Sequence, residues 1–292
     1  MKTSLRKWAA IFLLPGLALY LYIVIVPSIQ VINDGFYDWS AGQSPVWAGL
    51  ANYREMFSDT VFTDSLVNTL ILLVGALIIQ IPLGFLFALL IYRKLPGSGF
   101  FQSVFFIPMV LSTVVIAVLW TQVYQPDFGL LNGLFKMLGL SNWMHAWLGD
   151  TNTALYSVVV VVGWQFVGLY MLIFLAAMQS IPVPVLDAGQ LDGASGWRQT
   201  RHLLLPMLFD TVKLSVILVV TGAVQYFNLI WAMTKGGPAN SSSVLASYMY
   251  TKAFTDNRLG YAAAVATFML VINLLLAVGL QRLFRRDALE LA

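Results

Sequence analysis

Six stretches of this chain run without a charged residue for longer than one membrane crossing needs: 8–33, 65–92, 95–126, 151–186, 214–234 and 259–281. About 20 apolar residues carry a helix across the hydrocarbon core of a bilayer. Backbone inside that core must bond to itself, and these runs are too long for barrel strands, so each predicts a helical span. The third and fourth runs exceed one crossing. The expected spans therefore lie near 8–32, 66–92, 103–124, 155–178, 209–233 and 260–281. The fold expected is an all-α integral membrane protein of six transmembrane helices, with 1–292 as a single transmembrane domain.

Charge sets the expected orientation, because cytoplasmic loops are enriched in Lys and Arg. With a cytoplasmic N-terminus, the inner segments hold Lys2, Arg6, Lys7, Arg93, Lys94, Arg198, Arg201, Arg282, Arg285 and Arg286, ten in all. The outer loops hold five: Arg54, Lys136, Lys235, Lys252 and Arg258. Both termini are therefore expected in the cytoplasm, and so is the polar stretch between spans four and five. Composition agrees, with 59% hydrophobic and only 10% charged residues, against roughly a quarter charged in soluble domains. A net charge of +3 is too small to point to nucleic acid. The absence of cysteine excludes disulfides, thiolate metal sites and thiol nucleophiles.

The first run follows Lys2, Arg6 and Lys7 but is too long for the apolar region of a signal peptide, so it reads as an uncleaved span. Tyr37, Trp39, Trp47 and Tyr53 fit an aromatic belt in the outer loop. Asn68 and Thr69 are placed to cap span two. Pro82 and Pro108 predict kinks in spans two and three. Residues 125–152 contain an amphipathic stretch suited to a short surface helix.

Chemistry is sparse. No phosphate-cradling G-x-x-x-x-G-K-[ST] and no H-E-x-x-H occurs, and the only histidines are His145 and His202. Neither a metal site nor a catalytic group is expected. Asp210 and Lys213 are charged near the inner end of span five and read as a local i,i+3 pair.

The most polar stretch within the apolar pattern is 182–206. Pro182 and Pro184 end one span and pre-set a helix start. Val185 to Asp192 can then form a short helix of about 12 Å, too short to span anything. Gly193, Ala194, Ser195 and Gly196 interrupt it, and a second helix starts near Trp197 and runs past Pro206 into span five. Ala188, Gly189, Gly193 and Ala194 give it small residues that admit a close neighbour. This suits docking into a protein groove as well as rest on lipid headgroups.

Asp187-Ala188-Gly189, Asp192-Gly193-Ala194 and the closing Leu205-Pro206 resemble the E-A-A-x-x-D-G-A … L-P loop of binding-protein-dependent ABC importer permeases. Asp187, Gly189, Thr200 and Leu203 depart from the usual Glu, Ala, Phe and Ile. Gly49-Leu50-Ala51-Asn52-Tyr53, with Phe62 and Asn68-Thr69, is similar to the start of sugar-importer permeases. Phe227 to Pro238 (FNLIWAMTKGGP) resembles the signature of one of their two permease types, the one like the larger permease of the maltose transporter, with Asn228 where Asp is common. The resemblance implies a permease subunit and no enzyme, with ATP and Mg held by partner ATPases and no cofactor on this chain. Implied partners are a second, non-identical permease, two ATPase subunits, an extracytoplasmic solute-binding protein, a sugar substrate and the lipid bilayer of the cell membrane. The same subfamily moves glycerol-3-phosphate and related esters, which is one alternative; a secondary carrier is another.

On that reading Leu186, Asp187, Ala188, Gly189, Asp192, Gly193, Ala194 and Pro206 couple the chain to the ATPase, with Gly193 and Gly196 as pivots. Sugars need aromatic faces and amide partners, so Gln225, Tyr226, Asn228 and Trp231 on span five are candidate pathway residues, joined by Trp120, Trp164 and Gln165. For Gln225 and Asn228, a bond to a neighbouring helix is the competing role; for Trp231 it is the aromatic belt.

Overall fold

The computed structural model describes residues 12–223 and 226–284. Gln225, together with Lys2, Arg6, Lys7, Arg285 and Arg286, lies outside the described residues. In chain order the helices are α1 (Phe12–Asp34), α2 (Ala51–Ser58), α3 (Thr60–Tyr92), α4 (Ser98–Val110), α5 (Thr113–Val123), α6 (Leu130–Met137), α7 (Ala154–Gln179), α8 (Val183–Leu191), α9 (Gly196–Met207), α10 (Phe209–Ala223), α11 (Asn228–Met233), α12 (Leu245–Tyr250) and α13 (Leu259–Leu283). Among the described residues α1, α3, α7 and α13 are each long and apolar enough to cross a membrane. Two bent pairs, α4–α5 and α9–α10, raise the number to as many as six if each pair is one crossing.

The described chain separates into two compact units. One joins the residues up to Phe62 with Tyr248–Ile272; the other joins Thr63–Ser247 with the residues from Asn273 onward.

In the first unit a short antiparallel ribbon pairs Tyr37 with Trp47 and Asp38 with Val46. Asn52 is buried and its amide donates to the Gly35 and Tyr37 carbonyls at 3.0 and 2.8 Å. The corner between α2 and α3 is held by Asp59. One carboxylate oxygen accepts from the Val61 and Phe62 amides, which caps α3, and the other accepts from the Tyr248 hydroxyl at 2.6 Å. Burial pushes the Asp59 carboxyl up, but these donors outweigh it and hold it below the usual carboxylate range. Arg258 clamps Glu55 through two bonds of 2.6 Å.

Asn68 and Thr69 are not caps, because α3 begins at Thr60, two turns earlier than the apolar run suggests. A polar, half-exposed first segment lengthens the helix without extending its apolar pattern.

The second unit is built around α7, whose most apolar window is 67% buried, whereas that of α1 is 0% buried. Glycines let its neighbours close in. A Cβ at Gly168 would collide with the Phe105 carbonyl of α4, and one at Gly163 would lie 2.5 Å from Ile79 of α3. The expected span 103–124 is not one straight helix: α4 and α5 meet at 105°. Pro108 removes a backbone donor in the last turn of α4, and Leu111 and Ser112 then leave helical backbone with ψ of 146° and 135°. The expected span 209–233 is likewise divided. α10 ends at Ala223, residues 226 and 227 are not helical, and α11 starts at Asn228. The second helix of the polar stretch does not run straight into span five either, since α9 and α10 meet at 67°. Pro206 has no N–H for the His202 carbonyl, the turn Thr200–Leu204 widens to π geometry, and Leu208 (φ −90°, ψ 6°) makes the corner. Residues 155–178 lie within the single helix α7 and 260–281 within α13. The short surface helix expected within 125–152 is α6.

Candidate functional site

The polar stretch forms a strap of two helices. Pro182 takes extended backbone (ψ 133°) and Pro184 occupies the first turn of α8, so the missing proline N–H leaves no bond unmade. The helix terminates by its own sequence. The Ala194 amide donates to the Gly189 carbonyl at 2.8 Å and the Gly193 amide to Gln190 at 3.0 Å, with Gly193 at φ +80°. This is the paired bonding of a Schellman end, which needs left-handed backbone at the residue where glycine stands. Gly196 is also left-handed, at φ +57°. A Cβ at either glycine would meet nothing within 4 Å, so backbone conformation requires glycine there, not lack of room.

No residue of α8 is buried. Leu191 is 89% exposed and Trp197, just beyond the turn, is 68% exposed. Asp187, Ala188, Asp192 and Gly193 are exposed, whereas Leu186, Gly189 and Ala194 are half-buried. Gly189 faces this chain's own Leu203, since a Cβ there would lie 3.0 Å from Leu203 Cδ2. Its small size serves packing of α8 on α9. The strap is tied to the membrane helices by Arg93 at the end of α3. One guanidinium nitrogen donates to the Gly196 carbonyl at 3.0 Å and to the Thr200 hydroxyl oxygen at 3.1 Å. Thr200 is buried and its hydroxyl donates in turn to Gly196 at 3.2 Å. The threonine that departs from the family pattern is thus the anchor of the strap. Asp210 and Lys213 form the expected pair at 2.7 Å.

The candidate pathway residues separate into two groups. Trp120 of α5 meets Trp164 of α7 edge-on, with ring centroids 5.4 Å apart, and the buried Trp120 Nε1 has no acceptor. Gln165, one residue on, donates to Thr113 at the start of α5 at 3.3 Å, leaving its buried Oε1 without a donor. Tyr226 packs on Phe166 at 5.6 Å, and Trp231 stacks on Phe227 at 5.6 Å. The two groups share an element contact, because α11 packs against both α5 and α7. Asn228 is exposed at the first position of α11.

Three residues at these places escape a reading of the pattern. Gln80 is a lone amide in a charge-free run; it is fully buried, donates to the Val162 carbonyl at 3.3 Å, and has a free Oε1. Arg93 counts in sequence only as an inner charge, and Leu191 only as part of an apolar face. Among the described residues no group of three or more His, Cys, Asp or Glu is placed to hold a metal.

The polar stretch thus holds a short, exposed, self-terminated helix between long apolar helices. The chain belongs to the binding-protein-dependent transport system inner membrane components, whose family profile matches residues 80–288. It is a permease subunit of the ABC transporter class, not itself an enzyme. Over 278 residues it is 36% identical to the probable ABC transporter permease protein YurN of Bacillus subtilis (strain 168), covering 94% of this chain and 95% of that one. Over 279 residues it is 32% identical to the diacetylchitobiose uptake system permease protein NgcF of Streptomyces coelicolor, covering 91% and 79%. Its fold is similar to a chain of a bacterial alginate ABC transporter solved in complex with an alginate pentasaccharide-bound periplasmic protein. There the TM-score is 0.84 at 22% identity, over 98% of this chain and 96% of that one.

Proposed function

We propose that this chain is the transmembrane permease subunit of an ATP-driven importer for a carbohydrate, a sugar or oligosaccharide, and forms half of a pathway that works by alternating access. The observation that carries this reading is the exposed, self-capped α8 in a chain of this family. Diacetylchitobiose uptake, for which one relative is named, supports the substrate class. On this reading the chain crosses the cell membrane six times, with α4–α5 and α9–α10–α11 as broken crossings and both termini in the cytoplasm.

ATP and Mg belong to two ATPase subunits. Closure of the ATPase pair moves α8 through contacts with Asp187, Ala188, Leu191 and Asp192, and the strap passes the motion to α10 through α9. Leu186, Gly189, Ala194 and Pro206 shape the strap; Gly193 and Gly196 set its turn. A second, non-identical permease completes the pathway, and an extracytoplasmic solute-binding protein delivers the sugar. Broken helices at the bilayer midplane are where such pathways place their substrate. The α5–α7–α11 junction therefore presents Trp120, Trp164, Gln165, Tyr226, Asn228 and Trp231, with Gln225 on the same segment.

The test is uptake by vesicles holding the four-chain complex and its binding protein. The reading expects oligosaccharide uptake that needs ATP and the binding protein. Uptake driven by an ion gradient without ATP would make the chain part of a secondary carrier. ATP-driven uptake of glycerol-3-phosphate but of no sugar would keep the mechanism and overturn the substrate.

A further inference from the structure

The second unit carries an apolar groove of which the transport reading uses only Trp164, at one end. Its inner lobe, about 330 Å³, is lined by Ile79, Leu83, Val104, Pro108, Val160 and Trp164, among others. Its outer lobe, about 220 Å³, is lined by Leu90, Ile91, Leu95, Pro96 and Phe101. Both lobes share Phe87 and Phe105, whose rings stack with centroids 3.9 Å apart, so the two lobes adjoin on either side of that ring pair. Along α3 the lining runs from Ile79 to Ile91, about 18 Å at 1.5 Å per residue. That is close to one leaflet, half of a hydrocarbon core of about 30 Å.

The groove ends where the chain leaves the apolar layer. Leu95 and Pro96 line its mouth, and Lys94 immediately precedes them. Lys94 is exposed, with left-handed backbone at φ 52°; its amide donates to the Ile91 carbonyl at 2.9 Å, and its ammonium makes no hydrogen bond or ion pair with any described residue. Its neighbour Arg93 is already committed to Gly196 and Thr200. An uncommitted cation at the polar end of an apolar groove one leaflet long matches one molecule: a phospholipid with its acyl chain laid along the two lobes and over the Phe87–Phe105 pair, and an anionic headgroup at Lys94.

The geometry points to a binding site for an anionic phospholipid between α3, α4 and α7, with Lys94 holding the headgroup. It depends on membrane embedding with Lys94 on the cytoplasmic side, not on the substrate or on ATP coupling. The leaflet on that side supplies anionic lipid, and one Lys near the surface is worth about fivefold in lipid preference. The headgroup sits one residue from the Arg93 tether, so the lipid braces the end of α3 from which the strap hangs.

Trp164 in the inner lobe reports on the site. The full complex is placed in nanodiscs of equal parts phosphatidylcholine and phosphatidylglycerol, with bromine on the acyl chains of one lipid at a time. The Trp164 signal is the difference between the wild-type chain and Trp164→Phe, which removes the background of the other tryptophans. Expected is stronger quenching by brominated phosphatidylglycerol than by brominated phosphatidylcholine. Lys94→Gln should erase the difference and Lys94→Arg should keep it. Equal quenching by the two lipids in the wild type would overturn the site as headgroup-selective. No quenching of Trp164 by either lipid would also overturn it, and would mean that a partner chain covers the groove. An unchanged quenching difference in Lys94→Gln would overturn Lys94 as the headgroup's partner, whatever happens to sugar uptake in that variant.

Discussion

The strap at 182–206 and the loop at 234–243 both belong to the unit built around α7, and both are turns rich in glycine and small polar residues. They are held in opposite ways. The loop is locked from outside itself: the Asn68 amide donates to the Ser241 and Ser243 carbonyls at 3.1 and 2.9 Å, and the Thr69 hydroxyl oxygen accepts from the Leu245 amide at 3.0 Å. Inside it, Ser242 Oγ donates to the Gly237 carbonyl at 2.7 Å and lies 2.7 Å from Thr234 Oγ1. The strap caps itself and touches the long helices through Arg93, while α8 leaves its surface in solvent. A segment that must keep one shape takes partners from its own chain. One that hands motion to another protein keeps its shape by local backbone bonds and leaves its side chains free.

The sharpest way to break this contrast is to remove one side chain from each. Asn68→Ala deprives two carbonyls of their donor and should cost about 2–3 kcal/mol. The complex should melt at lower temperature in detergent, with the 234–243 loop cut first by protease. An unchanged melting point would mean that the loop holds itself. Leu191→Asp should do the reverse. With the side chain 89% exposed, melting stays as it was. A central interface contact is worth 2 kcal/mol or more, so ATP-driven uptake should fall about thirtyfold. Full uptake in that variant would remove α8 from the docking surface.

Gly193 sharpens the strap's side of the contrast. Residues other than glycine pay about 1–2 kcal/mol in left-handed backbone, and asparagine pays least. Gly193→Val should therefore lower uptake about tenfold, while Gly193→Asn stays near wild type. Equal loss in both would mean that a partner needs the bare backbone there, because the chain itself leaves room for a side chain.

The unequal legibility of the two segments follows from what each depends on. A span that ends in charges, such as α13 between Arg258 and Arg282, could be bounded from the pattern alone. So could α8, because proline starts it and glycine ends it within nine residues. The break at Leu111–Ser112 could not, since Pro108 announces only a kink and the turn depends on packing of α4 against α7. Asn68 looked like a helix cap because its partners lie some 170 positions away, and Asp59, the true cap, sits in a polar segment with no apolar edge to mark it. Gly189 was legible as a small residue, but its neighbour Leu203 was not, so its packing role could not be separated from docking. In the pathway, the aromatic pair Trp120–Trp164 was readable as residue types, whereas Gln80 needed the fold to reveal that its amide is buried.

The smallest expected effect tests the single tether. Thr200→Val keeps the volume and removes the hydroxyl that accepts from Arg93, at a cost of about 1 kcal/mol, while Thr200→Ser keeps it. Arg93→Gln removes the guanidinium from both Thr200 and the Gly196 carbonyl, so it should be the more damaging of the two. If the tether acts as one unit, the double variant should be no worse than Arg93→Gln alone in ATP-driven uptake, because the hydroxyl has then lost its donor. Additive losses would mean that Thr200 supports the strap by packing among its buried neighbours, and that Arg93 holds Gly196 independently. In that case the strap would have two attachments, and its difference from the locked loop would be one of degree.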